Sequence, residues 1–363
     1  MVSRKRYKLG NDPIEDVKVA IDDFYNELAE TKKVWLVTGC AGFIGTNLVK
    51  KLISLNQKVV GLDNFSTGLK SNIEFLNQLA STNPNSSFEF YEGDIRALED
   101  CQKAMSDVDF VLHQAALGSV PRSIKNPLAS HESNVSGFLN VLWAAKESGI
   151  QRVVYASSSS IYGDNPNLPK VEHSIGKPLS PYAATKFMNE VYADVFAKTY
   201  GLETIGLRYF NVFGPHQQPN GPYAAVIPKW IGLMLEQKPI TIFGDGETSR
   251  DFCFIDNVVQ MNLKCATTKN KNAANQEYNV AYHQQTSLNQ LFYMIKEMLM
   301  ELEPNINFHE PQYEDFRAGD VRHSLADINK GSQLIGYEPT DDIESGLRKS
   351  IKWYIENHKS MGN

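Results

Sequence analysis

Apolar and polar positions fall in blocks along the chain, and the blocks read alternately as strands and helices. Val34-Trp35-Leu36-Val37 is a continuous apolar run of the kind a buried parallel strand carries. Behind it, Asn47 to Ile53 places its apolar residues at helical spacing. Lys58 to Leu62 forms a second buried strand that ends on Asp63, Phe88 to Tyr91 a third, Asp109 to His113 a fourth and Arg152 to Ala156 a fifth. Helices are predicted over 97–106 and 127–148, the second enclosing Asn134, and another opens at Pro181 and runs to about 199. Ahead of them all, Ile14, Val17, Ile21, Phe24 and Leu28 recur every three or four residues, a helical pattern over 11–31 with Asn11, Asp12 and Pro13 as its start. The acidic opposite face of that helix suits packing on the following domain and argues against membrane binding.

One junction carries chemistry. Between the first strand and its helix lies Thr38-Gly39-Cys40-Ala41-Gly42-Phe43-Ile44-Gly45. Strand, glycine-rich turn and helix form the context in which such glycines bind a dinucleotide. Gly39 permits the tight turn, Gly42 lets backbone approach a pyrophosphate, and Gly45 lets helix pack close to strand. The helix N-terminus then aims its free N–H groups at phosphate. Asp63 lies 18 positions after Gly45, near the offset of a carboxylate that grips the adenosine ribose. An acid there favours NAD and repels the extra phosphate of NADP. A flavodoxin-like junction with no dinucleotide would use similar glycines, but it has no need of Asp63.

Composition narrows the picture. A chain of 363 residues suits one large α/β domain or a domain with a smaller lobe. The net charge of −6, with no lysine or arginine cluster, gives no footprint for nucleic acid. Cys40, Cys101, Cys253 and Cys265 lie far apart, which suits a reducing compartment and neither a disulfide framework nor a zinc site. The eight histidines show no metal-ligand spacing. No stretch approaches the ~18 apolar residues that span a bilayer, and the basic opening Met1 to Arg6 lacks a signal peptide's apolar segment, so a cytoplasmic location is expected.

Other candidate residues cluster where strands end. Asn64-Phe65-Ser66-Thr67-Gly68 is polar turn chemistry beyond the second strand. Asp94 either meets adenine, with Ile95 packed beside it, or caps the helix over 97–106, or does both. Gln114-Ala115-Ala116-Leu117-Gly118-Ser119 offers small residues against which a ligand can lie. Ser157 to Ser160 is either a turn or a hydrogen-bonding platform. Tyr182 and Lys186 are four apart on the last helix and share one face, so the ammonium is expected to favour the phenolate and lower the tyrosine pKa.

Taken together, the glycine turn, the serine cluster and Tyr182-x-x-x-Lys186 resemble the extended short-chain dehydrogenase/reductase family, and within it the nucleotide-sugar 4-epimerases. Leu207 to Gly214, Gly244-Asp245-Gly246 with Arg250-Asp251-Phe252, and Arg317-Ala318-Gly319-Asp320 match that group too, so the likeness covers about Lys33 to His358. Ala115 to Ser123 is similar to the branch acting on UDP-N-acetylhexosamines and their uronic acids. The resemblance implies a Rossmann-type doubly wound parallel sheet, mainly 32–212, and a smaller mixed α/β lobe for the UDP-sugar, mainly 213–363, after an N-terminal extension over 1–31. It implies NAD held by Gly39, Gly42, Phe43, Ile44, Gly45, Asp63, Asn64, Ser66, Gly68, Asp94, Ile95, Gln114, Ala115, Ala116, Asn134, Tyr182, Lys186 and Tyr209. It implies catalysis by Ser158, Tyr182 and Lys186, and a UDP-sugar held by Gly118, Ser119, Ser158, Ser159, Tyr182, Asn211, Arg250, Arg317, Asp320 and Ser324. Small side chains at Gly118 and Ser324 leave room for an N-acetyl group, so UDP-N-acetylglucosamine is the expected substrate, with its uronic acid or UDP-glucose as alternatives. Ser159-Ser160 stands where a 4,6-dehydratase carries two carboxylates, which disfavours elimination, and a non-catalytic NAD-binding regulator would tend to lose Tyr182 or Lys186. Relatives of this kind pair as homodimers through the two long helices, and the same is expected here.

Overall fold

The computed structural model describes residues 13–220, 224–316 and 321–361. Its first half is laid down by strands β1 (Val34–Thr38), β2 (Lys58–Asp63), β3 (Ser87–Glu92), β4 (Phe110–His113), β5 (Arg152–Ser158) and β6 (Thr204–Tyr209). Helix α1 (Pro13–Glu30) precedes them. Helices α2 (Phe43–Ser54), α3 (Lys70–Ser81), α4 (Leu98–Ala104), α5 (Val120–Lys125), α6 (Pro127–His131), α7 (Gly137–Glu147) and α8 (Pro181–Tyr200) make the connections. The second half holds the strands β7 (Val212–Phe213), β8 (Thr241–Phe243), β9 (Ser249–Asp251), β10 (Cys253–Phe254), β11 (Gln276–Val280), β12 (Gln285–Ser287) and β13 (Gln312–Glu314). Its helices are α9 (Val226–Leu235), α10 (Ile255–Thr267), α11 (Leu288–Leu302), α12 (Asn329–Ile335) and α13 (Ile343–Met361).

Seven strands form one parallel sheet in the order β11-β6-β5-β4-β1-β2-β3. The remaining strands pair two by two outside it, β10 with β7, β12 with β9 and β13 with β8. Central strands such as Trp35-Leu36-Val37 are fully buried because hydrophobic clusters cover both faces, which is why they read as unbroken apolar runs. The winding direction reverses between β1 and β4, so a crevice opens at their carboxyl ends, the place where open α/β sheets take ligands.

Most predicted elements are present within a residue or two, with three departures. The single helix expected over 127–148 is α6, a π turn over Glu132–Ser136 and then α7. Helix α5 has no counterpart in the apolar pattern; it starts from Ser119, whose φ of 96° and hydroxyl cap on the Arg122 N–H turn the chain. β5 continues through Ser157 and Ser158 before a 3-10 turn over Ser159–Tyr162, so the serines are partly strand and partly turn. Helix α1 packs on the molecule as expected, burying Ile21 and Leu28. The Gln57 side-chain amide donates to the Leu28 and Thr31 carbonyls at its end, 2.9 and 2.8 Å away. Asn11 and Asp12, its expected start, lie outside the described residues.

Candidate active site

The glycine turn is drawn as tightly as its residues allow. Gly39 has a φ of +70°, and a Cβ on it would stand 2.8 Å from the Ala115 nitrogen. A Cβ on Gly45 would stand 2.1 Å from the Gly39 carbonyl oxygen, so only glycine lets α2 start this close to β1. Asp63 closes the turn from β2: its carboxylate accepts the Ala41 N–H at 3.0 Å and the Phe65 N–H at 2.8 Å. Burial nevertheless raises its pKa, because those N–H groups only partly replace water.

A cavity of about 340 Å³ runs along this crevice, with Gly39, Gly42, Phe43, Ile44, Gly45 and Asp63 on one side. Asn64, Ser66, Ile95, Gln114, Ala115, Ala116 and Gly118 complete it, so most of the expected cofactor residues come together. Gly68 sits behind them against Ala41. Asp94 does not cap α4, whose N-cap is Ala97. Instead the Arg96 guanidinium and the Asn64 amide donate to it, and Arg96 holds the carboxyl down to about 2.

Two expected cofactor residues act from behind the cavity wall. The Tyr209 hydroxyl donates to Gln114 Oε1 at 3.0 Å and accepts from the amide of buried Asn262 at 2.9 Å, and so steadies Gln114. Asn134 sits in the π turn. Its amide donates to the Leu117 carbonyl and Thr185 Oγ1 (both 3.1 Å), and its oxygen accepts the Leu117 N–H at 2.7 Å. The cofactor-side loop is thereby tied to α8, one residue from Lys186.

At the head of α8 the Ser180 hydroxyl caps the Ala183 N–H at 3.1 Å and Pro181 occupies the first turn. The Ser158 side chain acts on the Tyr182 phenol and favours its ionised form. The expected effect of Lys186 on Tyr182 is not found: burial raises the tyrosine pKa, and the group that opposes it is Ser158. Lys186 Nζ donates instead to the Ala156 carbonyl at 2.7 Å, and burial pushes its own pKa down to about 8. Nearby, buried His113 is driven down to about 3 and stays neutral against Thr38 Oγ1 at 2.8 Å.

The substrate-side residues are more scattered. Ser119 caps α5 and Ser159 opens the 3-10 turn. The Asn211 amide donates to the Asp251 carbonyl at 3.1 Å, and Arg250 donates to its neighbour's carbonyl at Ser249. The Ser324 N–H donates to the Ser249 carbonyl at 3.1 Å. Arg317 and Asp320 lie outside the described residues. Arg96 on the cavity rim was missed by sequence reasoning, although its spacing two residues after Asp94 carried the signal. Among the described residues no group of side chains is set to hold a metal ion, and no helix is long and apolar enough to cross a membrane.

The sequence profile of the NAD dependent epimerase/dehydratase family matches residues 35–281. The chain belongs to this family. A putative UDP-glucose 4-epimerase of Methanocaldococcus jannaschii is 37% identical over 328 residues, 90% of this chain and 99% of that one. A solved UDP-N-acetylglucosamine 4-epimerase from Methanobrevibacter ruminantium M1, in complex with UDP-N-acetylmuramic acid, is 39% identical with a TM-score of 0.81. The match covers 90% of this chain and 99% of that chain. A UDP-glucuronic acid 4-epimerase from Bacillus cereus, in complex with UDP-glucuronic acid and NAD, is 31% identical with a TM-score of 0.77, over 89% and 99%. Membership in the epimerase/dehydratase family makes NAD the cofactor, and the crevice fits it. The glycine cradle has no room for a side chain, and the Asp63 carboxylate at the end of β2 suits a ribose and opposes an added phosphate.

Proposed function

We propose that this protein interconverts UDP-N-acetylglucosamine and UDP-N-acetylgalactosamine. The broader class, an NAD-dependent nucleotide-sugar 4-epimerase, follows from the family and its relatives; the sugar is the proposal. The observation that carries it is the open wall at Gly118, where an added Cβ would meet nothing within 4 Å. Ser324, held by its N–H to Ser249, supplies a second small side chain for the sugar's N-acetyl group. The UDP-N-acetylglucosamine 4-epimerase at 39% identity supports the same choice.

In this reading Tyr182 takes the proton of the sugar's 4-hydroxyl at its phenolic oxygen while Ser158 donates to that same sugar oxygen. NAD, when bound, supplies the acceptor and donor of hydride at carbon 4. Lys186 holds the cofactor's ribose. The 4-keto sugar turns over in the cleft and Tyr182 returns the proton, so no net oxidation occurs. Residues 32–212 serve mainly NAD and 213–363 mainly the UDP-sugar, with Arg250, Arg317, Asp320 and Asn211 on its nucleotide. An arginine suits a diphosphate because its planar fork donates to two oxygens at once. Four free, buried cysteines support a cytoplasmic setting, where the product would supply surface polysaccharide.

The test is product formation from UDP-N-acetylglucosamine by purified protein with no added NAD. UDP-N-acetylgalactosamine is the expected product. Turnover only on UDP-N-acetylglucosaminuronic acid or on UDP-glucose would replace the sugar assignment and leave the class intact. Ser324→Tyr is expected to suppress the N-acetylated substrate while sparing UDP-glucose, and equal loss on both would remove Ser324 from the specificity wall.

A further inference from the structure

Beneath the serine turn lies a buried polar chain that the reaction as described does not use. Ser157 Oγ donates to Glu190 Oε1 at 2.6 Å. Arg208 grips the same carboxylate with two bonds, Nε to Oε1 at 3.0 Å and Nη2 to Oε2 at 2.8 Å. Its Nη1 donates to the Tyr162 hydroxyl at 3.1 Å and to the Glu172 carbonyl at 2.8 Å. Tyr162 in turn donates to Asn279 Oδ1 at 2.6 Å, and the Asn279 amide reaches the Lys170 and Asp327 carbonyls, each at 2.9 Å. Ser157, Glu190, Arg208, Tyr162 and Asn279 are all at most 6% exposed. Glu277, Glu172, Lys330 and the Tyr155 phenol are the other titratable groups that face this chain.

An ion pair of this kind is weak evidence for stability, since removing two charges from water offsets most of their attraction. Its placement is more telling. Glu190 continues the face of α8 that carries Tyr182 and Lys186, and Ser157 immediately precedes Ser158 on β5. At its far end the chain grips the backbone beside Ala326, two residues beyond Ser324, where the Ala326 N–H donates to Asp251 at 3.1 Å. We propose that Glu190, clamped by Arg208, is the positioning residue of the reaction. Through Ser157 it fixes the end of β5 so that the Ser158 hydroxyl meets Tyr182, and through Tyr162 and Asn279 it ties that register to the wall carrying Ser324.

The proposal rests on Ser158 and Tyr182 being the reacting pair, so the experiment carries Tyr182→Phe as a control. Ser157→Ala removes one hydrogen bond and leaves the Glu190–Arg208 pair whole. A Glu190→Ala change would instead strand a buried guanidinium. On UDP-N-acetylglucosamine, or whichever UDP-sugar turns over, Ser157→Ala should lower kcat on the order of tenfold. KM and bound NAD per protomer should stay near wild type, and the unfolding midpoint should fall only by the small amount that one buried hydrogen bond is worth. The rising limb of the kcat–pH profile should move to higher pH, because the Ser158 hydroxyl that lowers the tyrosine pKa is then held less well. Ser157→Thr, which keeps the hydroxyl, should restore both. Unchanged kcat, a loss that tracks unfolding, or a change confined to KM would overturn the positioning role. Wild-type turnover in Tyr182→Phe would instead sink the assignment of the reacting pair, and the proposal with it.

Discussion

Tyr182 is the side chain on which turnover is expected to depend most. Tyr182→Phe should cost about 10²–10⁴-fold in kcat with circular dichroism and Tm unchanged, and near-normal turnover would remove it as the base. Lys186 makes a different demand, because its folded pKa is depressed to about 8 from 10.5. Below pH 8 the native state must hold a charge that burial disfavours, and between about pH 8 and 10.5 that penalty disappears as the unfolded chain also loses its proton. Lys186→Met is therefore expected to stabilise the cofactor-free protein at pH 7, by up to about 3 kcal/mol if the whole shift is realised, while abolishing turnover. The gain should shrink as pH rises through that window, and urea midpoints at pH 7 and pH 10 would show it. Gly39, Gly45, Asp63, Tyr182 and Lys186 were legible because turn sterics, charge and helical spacing are local properties. The environment of Tyr182 was not, since helical spacing places Lys186 on its face but says nothing of the Ala156 carbonyl that takes the ammonium. Nor could spacing along the chain reveal that Glu190 meets Ser157 from another element.

At the level of elements, the join of β1 to α2 tolerates least. Gly45→Ala would drive a methyl to 2.1 Å from the Gly39 carbonyl, so a loss of about 3 kcal/mol, the upper end of overpacking costs, is expected together with loss of bound NAD. Gly118→Ala, facing open space, should leave the unfolding midpoint unchanged, and equal damage from both would contradict the close-packing argument. Strands β1, β2, β4 and β5 were legible because burial on both faces leaves unbroken apolar runs, whereas β6 and β11, which complete the sheet, were not read from the pattern. The π turn at Glu132–Ser136 was not, since one widened turn barely disturbs a helical pattern, yet it is what presents Asn134 to Leu117. Strands of two or three residues such as β7 to β10 are too short to show any period, and that half of the chain was read only through its resemblance.

Across the whole molecule, the outer face of α8 leaves Met188, Val191 and Val195 exposed, with Ile124 and Leu128 nearby on α5 and α6. That spacing makes one apolar helical stripe, and a homodimer built on it is expected. Sedimentation should give twice the protomer mass, and Val191→Glu should shift it to the single protomer with the fold intact; a wild-type monomer would refute the pairing. The sheet's order has a further consequence for synthesis. β6 ends at Tyr209 but its outer neighbour β11 is not made until Gln276–Val280. At roughly 5–20 residues per second, a ribosome leaves that edge bare for several seconds while the intervening segment emerges. A bare edge with Ile205 and Leu207 in it is a template for pairing with another nascent chain. Chains released before residue 276 should therefore collect in inclusion bodies, and slowing translation across 210–275 should raise the demand for chaperones.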